Sequence, residues 1–210
     1  LMPSLFENKQ HIIYSLGQDA HWDKRVMRWL NALRSKSRSG VQIPSVWLDL
    51  FPFVYEQRLI KSAAEIALMR EAARISAKAH KGVMQACEPD GKEYELEGVF
   101  LRECYHEGGK DMAYTPIVGG GNNACTLHYV KNDALLKAGD LVLMDAGCEY
   151  QYYASDITRT FPINGKFTGD QKLIYEWVLK AQVAAIELIK PGVSWDKLQE
   201  KIVNVLVQGL

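Results

Sequence analysis

The spacing of apolar residues changes several times along the chain. Over His21–Arg34, Trp22, Val26, Trp29, Leu30 and Leu33 recur at helical spacing and predict a helix. The small, basic and polar run Ser35–Gly40 predicts a loop. Pro52 in "VWLDLFPFVYEQR" is read as interrupting any regular element, which sets a domain boundary near residues 50–60. From Lys61 to Ala86 a long helix is expected. Ser62 and Glu65 stand in capping-box register, and Ile66, Met69, Ala73 and Val83 mark its apolar face. A second helix, Glu93–His106, should stop at Gly108-Gly109. Extended pieces are predicted around "YTPIVGGG" and "CTLHYV", followed by two strands in "LVLMDAG" and "YYASDITRTFPI". Thr168 can cap a helix that ends at Pro191-Gly192, and Ser194 can cap a last one. Helices, then strands, then helices, without regular βα alternation, predict an α+β fold with helices packed on a largely antiparallel sheet.

The strand pair carries the candidate chemistry. Leu141, Leu143 and Asp145 share one face of the first strand, while Val142, Met144 and Ala146 take the other. Tyr152, Ala154, Asp156, Thr158 and Thr160 share a face of the second. A reversal centred on Tyr150-Gln151 would set Asp145 directly opposite Asp156. Directly opposed Cβ atoms are about 4.5–5.5 Å apart, and like charges there are destabilising. Three readings follow: a solvated surface pair, two carboxylates sharing one proton, or a site for divalent cations. The apolar first strand speaks against the solvated pair. Carboxylate oxygens suit hard or borderline ions, and paired metals make a hydrolytic site, although two carboxylates alone do not complete one.

Composition narrows the class only a little. The chain has 210 residues, 48% of them hydrophobic, enough for one domain or for one domain and part of another. Lys plus Arg balances Asp plus Glu at 25 each, so no global basic field points to nucleic acid. No apolar run reaches the roughly 18 residues of a membrane span. The four cysteines lack CxxC spacing and are expected to be reduced thiols. The opening "LMPSLFENKQ" lacks the layout of a signal peptide, and the chain stops in a helical pattern, so it is read as a fragment.

"LVLMDAGCEYQYYASDITRTFPINGKFT" resembles the metal-binding hairpin of the X-prolyl aminopeptidases (aminopeptidase P), which are pita-bread metallopeptidases. "LIKSAAEIALMREAARISAKAH" resembles the first helix of their catalytic domain, and "YTPIVGGGNNACTLHYVKND" the segment that carries an active-site histidine. The resemblance implies a partial pita-bread (creatinase/aminopeptidase) fold. Residues 1–55 would be the end of an N-terminal creatinase-like domain with its linker, and residues 56–210 the first half of the catalytic domain. It implies that Asp145 and Asp156 are metal ligands, the second bridging two ions. His128 would contact substrate and assist proton transfer, and Tyr114 would line the substrate site. Thr158, on the face of Asp156, would support the ligands with its hydroxyl. His80 and His106 are read as helix-face residues without a role.

The implied activity is dinuclear-metal-dependent removal of an N-terminal residue that precedes proline. The cofactors would be two divalent ions, Mn²⁺ or alternatively Co²⁺ or Zn²⁺. The partners would be peptides with proline second and further copies of the chain in a dimer or tetramer, with no nucleic acid or membrane. The compartment would be cytoplasmic, or alternatively mitochondrial. A dipeptidase of the same fold (prolidase) and a non-catalytic pita-bread binding module are the alternatives. The family completes its site with one histidine and two glutamates further along, whereas no histidine follows His128 here. Residues 1–210 alone are therefore expected to bind metal poorly and to lack peptidase activity.

Overall fold

The computed structural model describes residues 2–209. The chain divides into two compact units between Ala64 and Glu65. In the first unit, strands β1 (His11–Ile13) and β2 (Val46–Leu48) pair in parallel, with helix α1 (Ala20–Arg34) between them in sequence. Asp19 caps α1, its carboxylate accepting from the N–H groups of His21 and Trp22 at 2.8 and 3.0 Å. Ile12, Val26 and Leu30 form the core, with Phe6, Tyr14, Trp29, Ile43 and Trp47 against them. Helix α2 (Leu50–Leu59) corrects the expectation for Pro52, which sits within the first turn instead of breaking the element. An N–H there has no intrahelical acceptor, so its loss costs the helix nothing.

The second unit begins in the first turn of α3 (Ala63–Ala86) and continues with α4 (Glu93–His106). The buried stripe of α3 is Ala72, Ile75, Ser76, Ala79, His80 and Val83. The expected face was therefore rotated: Ile66 and Met69 are 41% and 38% exposed, and only Val83 was on the buried side. Ala and Ser at the close approach to the sheet carried no hydrophobic signal strong enough to compete with Ile and Met. Across the exposed edges of the two helices, Glu107 pairs with Arg74 at 2.9 Å and with Lys78.

Two antiparallel sheets follow. Strand β3 (Asp111–Met112) pairs with β6 (Cys148–Tyr150), which pairs with β7 (Tyr153–Ala154). Strand β4 (Ile117–Gly120) pairs with β5 (Leu141–Ala146), which pairs with β8 (Ile157–Pro162). Val142, Met144 and Ala146 of β5 are fully buried against Ile75, Ala79 and Val83 of α3 and Leu96, Phe100 and Cys104 of α4. Asp145 is on the other, half-buried face. The segment "CTLHYV" is not extended as expected; a 3₁₀ turn at Gly121–Cys125 leads into irregular chain up to β5. Helices α5 (Gly169–Leu188) and α6 (Trp195–Val207) pack on each other, and Thr168 caps α5 together with Gln171 as the sequence predicts. Among the described residues the cysteines are free thiols, and no helix is long and apolar enough to cross a membrane.

Between β5 and β6 the chain passes directly against the strand returning from β7. A Cβ built on Gly147 would lie 1.8 Å from the carbonyl oxygen of Ser155. Only glycine allows this approach. Gly147→Ala in the intact protein should cost about 3 kcal/mol, the upper end of overpacking penalties, in equilibrium urea unfolding. A loss below about 1 kcal/mol would show that the two backbones can separate cheaply.

Candidate functional site

The hairpin register decides where the two aspartates lie. Gln151 and Tyr152 both have positive φ, 48° and 69°. Left-handed conformations at both central residues are what a tight two-residue reversal requires. Tyr150 therefore pairs with Tyr153 and Glu149 with Ala154. This overturns the expected reversal at Tyr150-Gln151. Neither Gln nor Tyr favours the left-handed region, so no turn signal marked these two positions. Each partner shifts by two residues, and Asp145 stands opposite Thr158 instead of Asp156. A shift of two preserves the face, so Asp156 stays on the same side as Asp145, diagonal to it.

Tyr114 brings the two carboxylates to one point. Its hydroxyl oxygen is 2.5 Å from Asp145 Oδ1 and 2.9 Å from Asp156 Oδ1. Tyr114 is held just before β4 by Thr115-Pro116, whose proline keeps the preceding residue extended. Burial, and then the hydrogen bonds to Asp145 and Asp156, push the phenol well above the ordinary tyrosine range. The phenol therefore stays protonated and supplies one proton to two facing carboxylates. A single donor cannot satisfy both, which leaves lone pairs aimed at a shared space.

That donor set fits a hard divalent cation: two carboxylate oxygens converge on one face, with a hydroxyl between them. It is also only part of a site. Among the described residues no third His, Cys, Asp or Glu joins them. Thr158 is directly opposite Asp145, but its hydroxyl bonds to neither aspartate among the described residues. His128 is exposed on the irregular segment after β4, with φ 55°, and forms no hydrogen bond to the aspartates. The structure thus joins Tyr114, Asp145 and Asp156, and sets Thr158 beside them.

Several supporting residues gave no sign in the sequence. His80, read as a helix-face residue, is 2% exposed, and its Nε2–H donates to the carbonyl of Ala146 at 3.0 Å. Burial holds its imidazole below the usual histidine range, so the neutral ring braces the strand next to Asp145. Ser76 Oγ accepts from the N–H of Cys148 at 2.9 Å and meets Ser155 Oγ at 2.7 Å. Ser155 Oγ in turn donates to the carbonyl of Cys148 at 2.9 Å, which ties α3 to the residue before Asp156. Glu93 and Asn132 hold the segment that carries His128. A buried serine or glutamate looks like a surface residue until the fold supplies its partners.

The model of metallopeptidase family M24 matches residues 67–210. The Xaa-Pro aminopeptidase of Escherichia coli K12 is 43% identical over 199 residues, which is 95% of this chain and 45% of that protein. The Xaa-Pro aminopeptidase of Haemophilus influenzae is 49% identical over 174 residues, 83% of this chain and 40% of that protein. Among solved structures, the aminopeptidase PepP of Pseudomonas aeruginosa superposes with a TM-score of 0.95 at 48% identity, covering all of this chain and 48% of that one. A substrate complex of Escherichia coli aminopeptidase P gives 0.94 at 42% identity with the same coverage. The chain spans about half the length of these relatives. Its α+β arrangement is that of the aminopeptidase P structures, the partial pita-bread fold expected from the sequence.

Removing the shared donor should expose the repulsion it relieves. In the intact protein freed of divalent ions by a chelator, Tyr114→Phe should lose about 1.5–3 kcal/mol of stability, the value of a hydrogen bond to a charged group. Urea unfolding of the two proteins in chelator measures this. Equal midpoints would mean that the aspartates do not depend on the hydroxyl.

Proposed function

The chain belongs to metallopeptidase family M24, and on that premise we propose that the protein is a metal-dependent aminopeptidase. It cleaves the bond between an N-terminal residue and a following proline. The observation that carries the proposal is the convergence of Asp145, Asp156 and the Tyr114 hydroxyl on one face of β5. The Xaa-Pro aminopeptidases to which the chain is similar support the choice of substrate.

Asp145 and Asp156 would supply part of the ligand set for two divalent ions, Mn²⁺ in preference to Co²⁺ or Zn²⁺. Bound ions of this kind supply Lewis acidity, which polarises a carbonyl and makes water a usable nucleophile near neutral pH. Tyr114 fixes the direction of both carboxylates and lines the space in front of them. Thr158 stands opposite Asp145 on the neighbouring strand and flanks the site. His128 donates a proton to the charge that develops on the substrate's oxygen or leaving nitrogen. The tertiary amide before proline has no N–H, so a pocket that offers it no acceptor rejects nothing. The first unit, up to Ala64, closes an N-terminal domain, and the second, from Glu65, opens the catalytic one. The intact protein works as a homo-oligomer on peptides in the cytoplasm, or alternatively in mitochondria.

Asp145→Asn and Asp156→Asn in the intact protein should each weaken divalent-ion binding by at least about 100-fold, since even residues that merely support ligands matter 10–100-fold. Titration calorimetry with Mn²⁺ measures this directly. His128→Ala should keep the bound metal and lower kcat by about 10²–10⁴ on an X-Pro tripeptide. Wild-type ion affinity in both asparagine variants would overturn the site, and strict preference for X-Pro dipeptides would overturn the substrate.

A further inference from the structure

Glu93, the first residue of α4, is fully buried and charged, yet no Lys, Arg or His pairs with it among the described residues. Its carboxylate is satisfied entirely by neutral donors. Oε1 accepts from the N–H of Gly120 at 2.8 Å and from Asn123 Nδ2 at 3.0 Å. Oε2 accepts from the hydroxyl of Tyr129 at 2.8 Å and the N–H of Ala134 at 2.9 Å. The N–H of Glu93 donates back to the carbonyl of Ala134 at 3.1 Å. Burial raises the carboxyl's pKa, but the bonds from Asn123, Gly120, Ala134 and Tyr129 outweigh it and leave the group below the usual carboxylate range. The N-terminus of α4 also favours the charge.

All four donors come from one stretch of chain, from Gly120 at the end of β4 to Ala134, which has no strand beyond Gly120 and carries His128. Two lie before the histidine and two after it, and Tyr129 is its immediate neighbour. One helical turn further along α4, Glu97 Oε2 accepts from Asn132 Nδ2 at 2.9 Å. That amide also donates to the carbonyl of Pro116 at 2.9 Å, and its Oδ1 accepts from the N–H of Val118 at 3.0 Å. His128 and Asn132 both hold left-handed backbone, at φ 55° and 48°. Such conformations cost on the order of 1 kcal/mol each and persist only where the surroundings determine them. A buried charge is an expensive way to gain stability. Here it is spent on a single conformation of one irregular segment.

We propose that Glu93 is a positioning residue for His128: it clamps both arms of the Gly120–Ala134 segment and so sets where the imidazole stands relative to Asp145 and Asp156. The inference rests on the proton-donating role of His128 proposed above. Glu93 touches neither substrate nor metal and acts only through the segment.

A double-mutant cycle in the intact, metal-loaded protein tests it. Glu93→Gln keeps the volume but presents an amide NH₂ to one pair of donors, so one arm is released. With an X-Pro tripeptide, kcat should fall about 10- to 100-fold, the scale of a misplaced catalytic group, while KM and bound Mn²⁺ stay near wild type. Amide hydrogen exchange over residues 121–134 should speed up. In a His128→Ala background, Glu93→Gln should cost less than about 2-fold, because the histidine it positions is gone. Should Glu93→Gln fail to fold, Tyr129→Phe, which removes one of the four bonds to Glu93 and the bond from Asn123, carries the same cycle with a smaller effect. Equal fold-losses in both backgrounds, or wild-type kcat in both Glu93→Gln and Tyr129→Phe, would overturn the proposal. A wild-type rate in His128→Ala alone would overturn the role of His128, and this inference with it.

Discussion

The close passage of two backbones at Gly147 and Ser155 governs the rest of the site. There the strand pair β5–β8 ends and the hairpin β6–β7 begins, with no room for a side chain between them. The contact lets one continuous ladder change sheets while keeping its register. Asp145 is the last residue but one of β5, and Asp156 immediately precedes β8. Both are therefore fixed by the same crossing, one on each side. Ser76 and Ser155 saturate the polar groups exposed there, and His80 takes the carbonyl of Ala146. Buried backbone groups left open at a sheet transition would otherwise cost about 1–3 kcal/mol each.

Electrostatics then sets the chemistry. Two carboxylates on one face repel, and the structure answers with one phenolic proton where two are wanted. Tyr114 can supply it because a phenol is protonated at neutral pH, and burial beside the two carboxylates pushes its pKa higher still. A cation is the more complete answer to the same repulsion, which is why the arrangement reads as one wall of a metal centre. The other wall is not among the described residues.

The segment between β4 and β5 follows a different logic. It lacks a periodic apolar face, so packing alone cannot select one conformation. Glu93 and Asn132 select it instead, through bonds whose partners lie up to 41 residues away in sequence. The cost is a desolvated charge and several left-handed residues. The strands bear the aspartates rigidly, and this network gives comparable definition to a histidine on irregular chain.

Periodicity and end signals made much of the fold legible. The helices α1, α4, α5 and α6, the strand β5 and the cap at Thr168 follow from local pattern, because caps and apolar spacing act over a few residues. The placement of Asp145 and Asp156 on one face was equally legible, since alternation along a strand survives any even shift of register. Local pattern misjudged Pro52, whose tolerance depends on its place within a first helical turn. It also misjudged the buried face of α3, where small residues meet the sheet. By itself, then, the sequence determined most of the helices, the strand β5 and which face each aspartate occupies. Only the tertiary structure decided the true partner of Asp145, the shared donor at Tyr114, and the burial of Glu93, His80 and Ser76. Those depend on contacts between residues distant in the chain, and a polar side chain shows no sign of burial until its partners are in place.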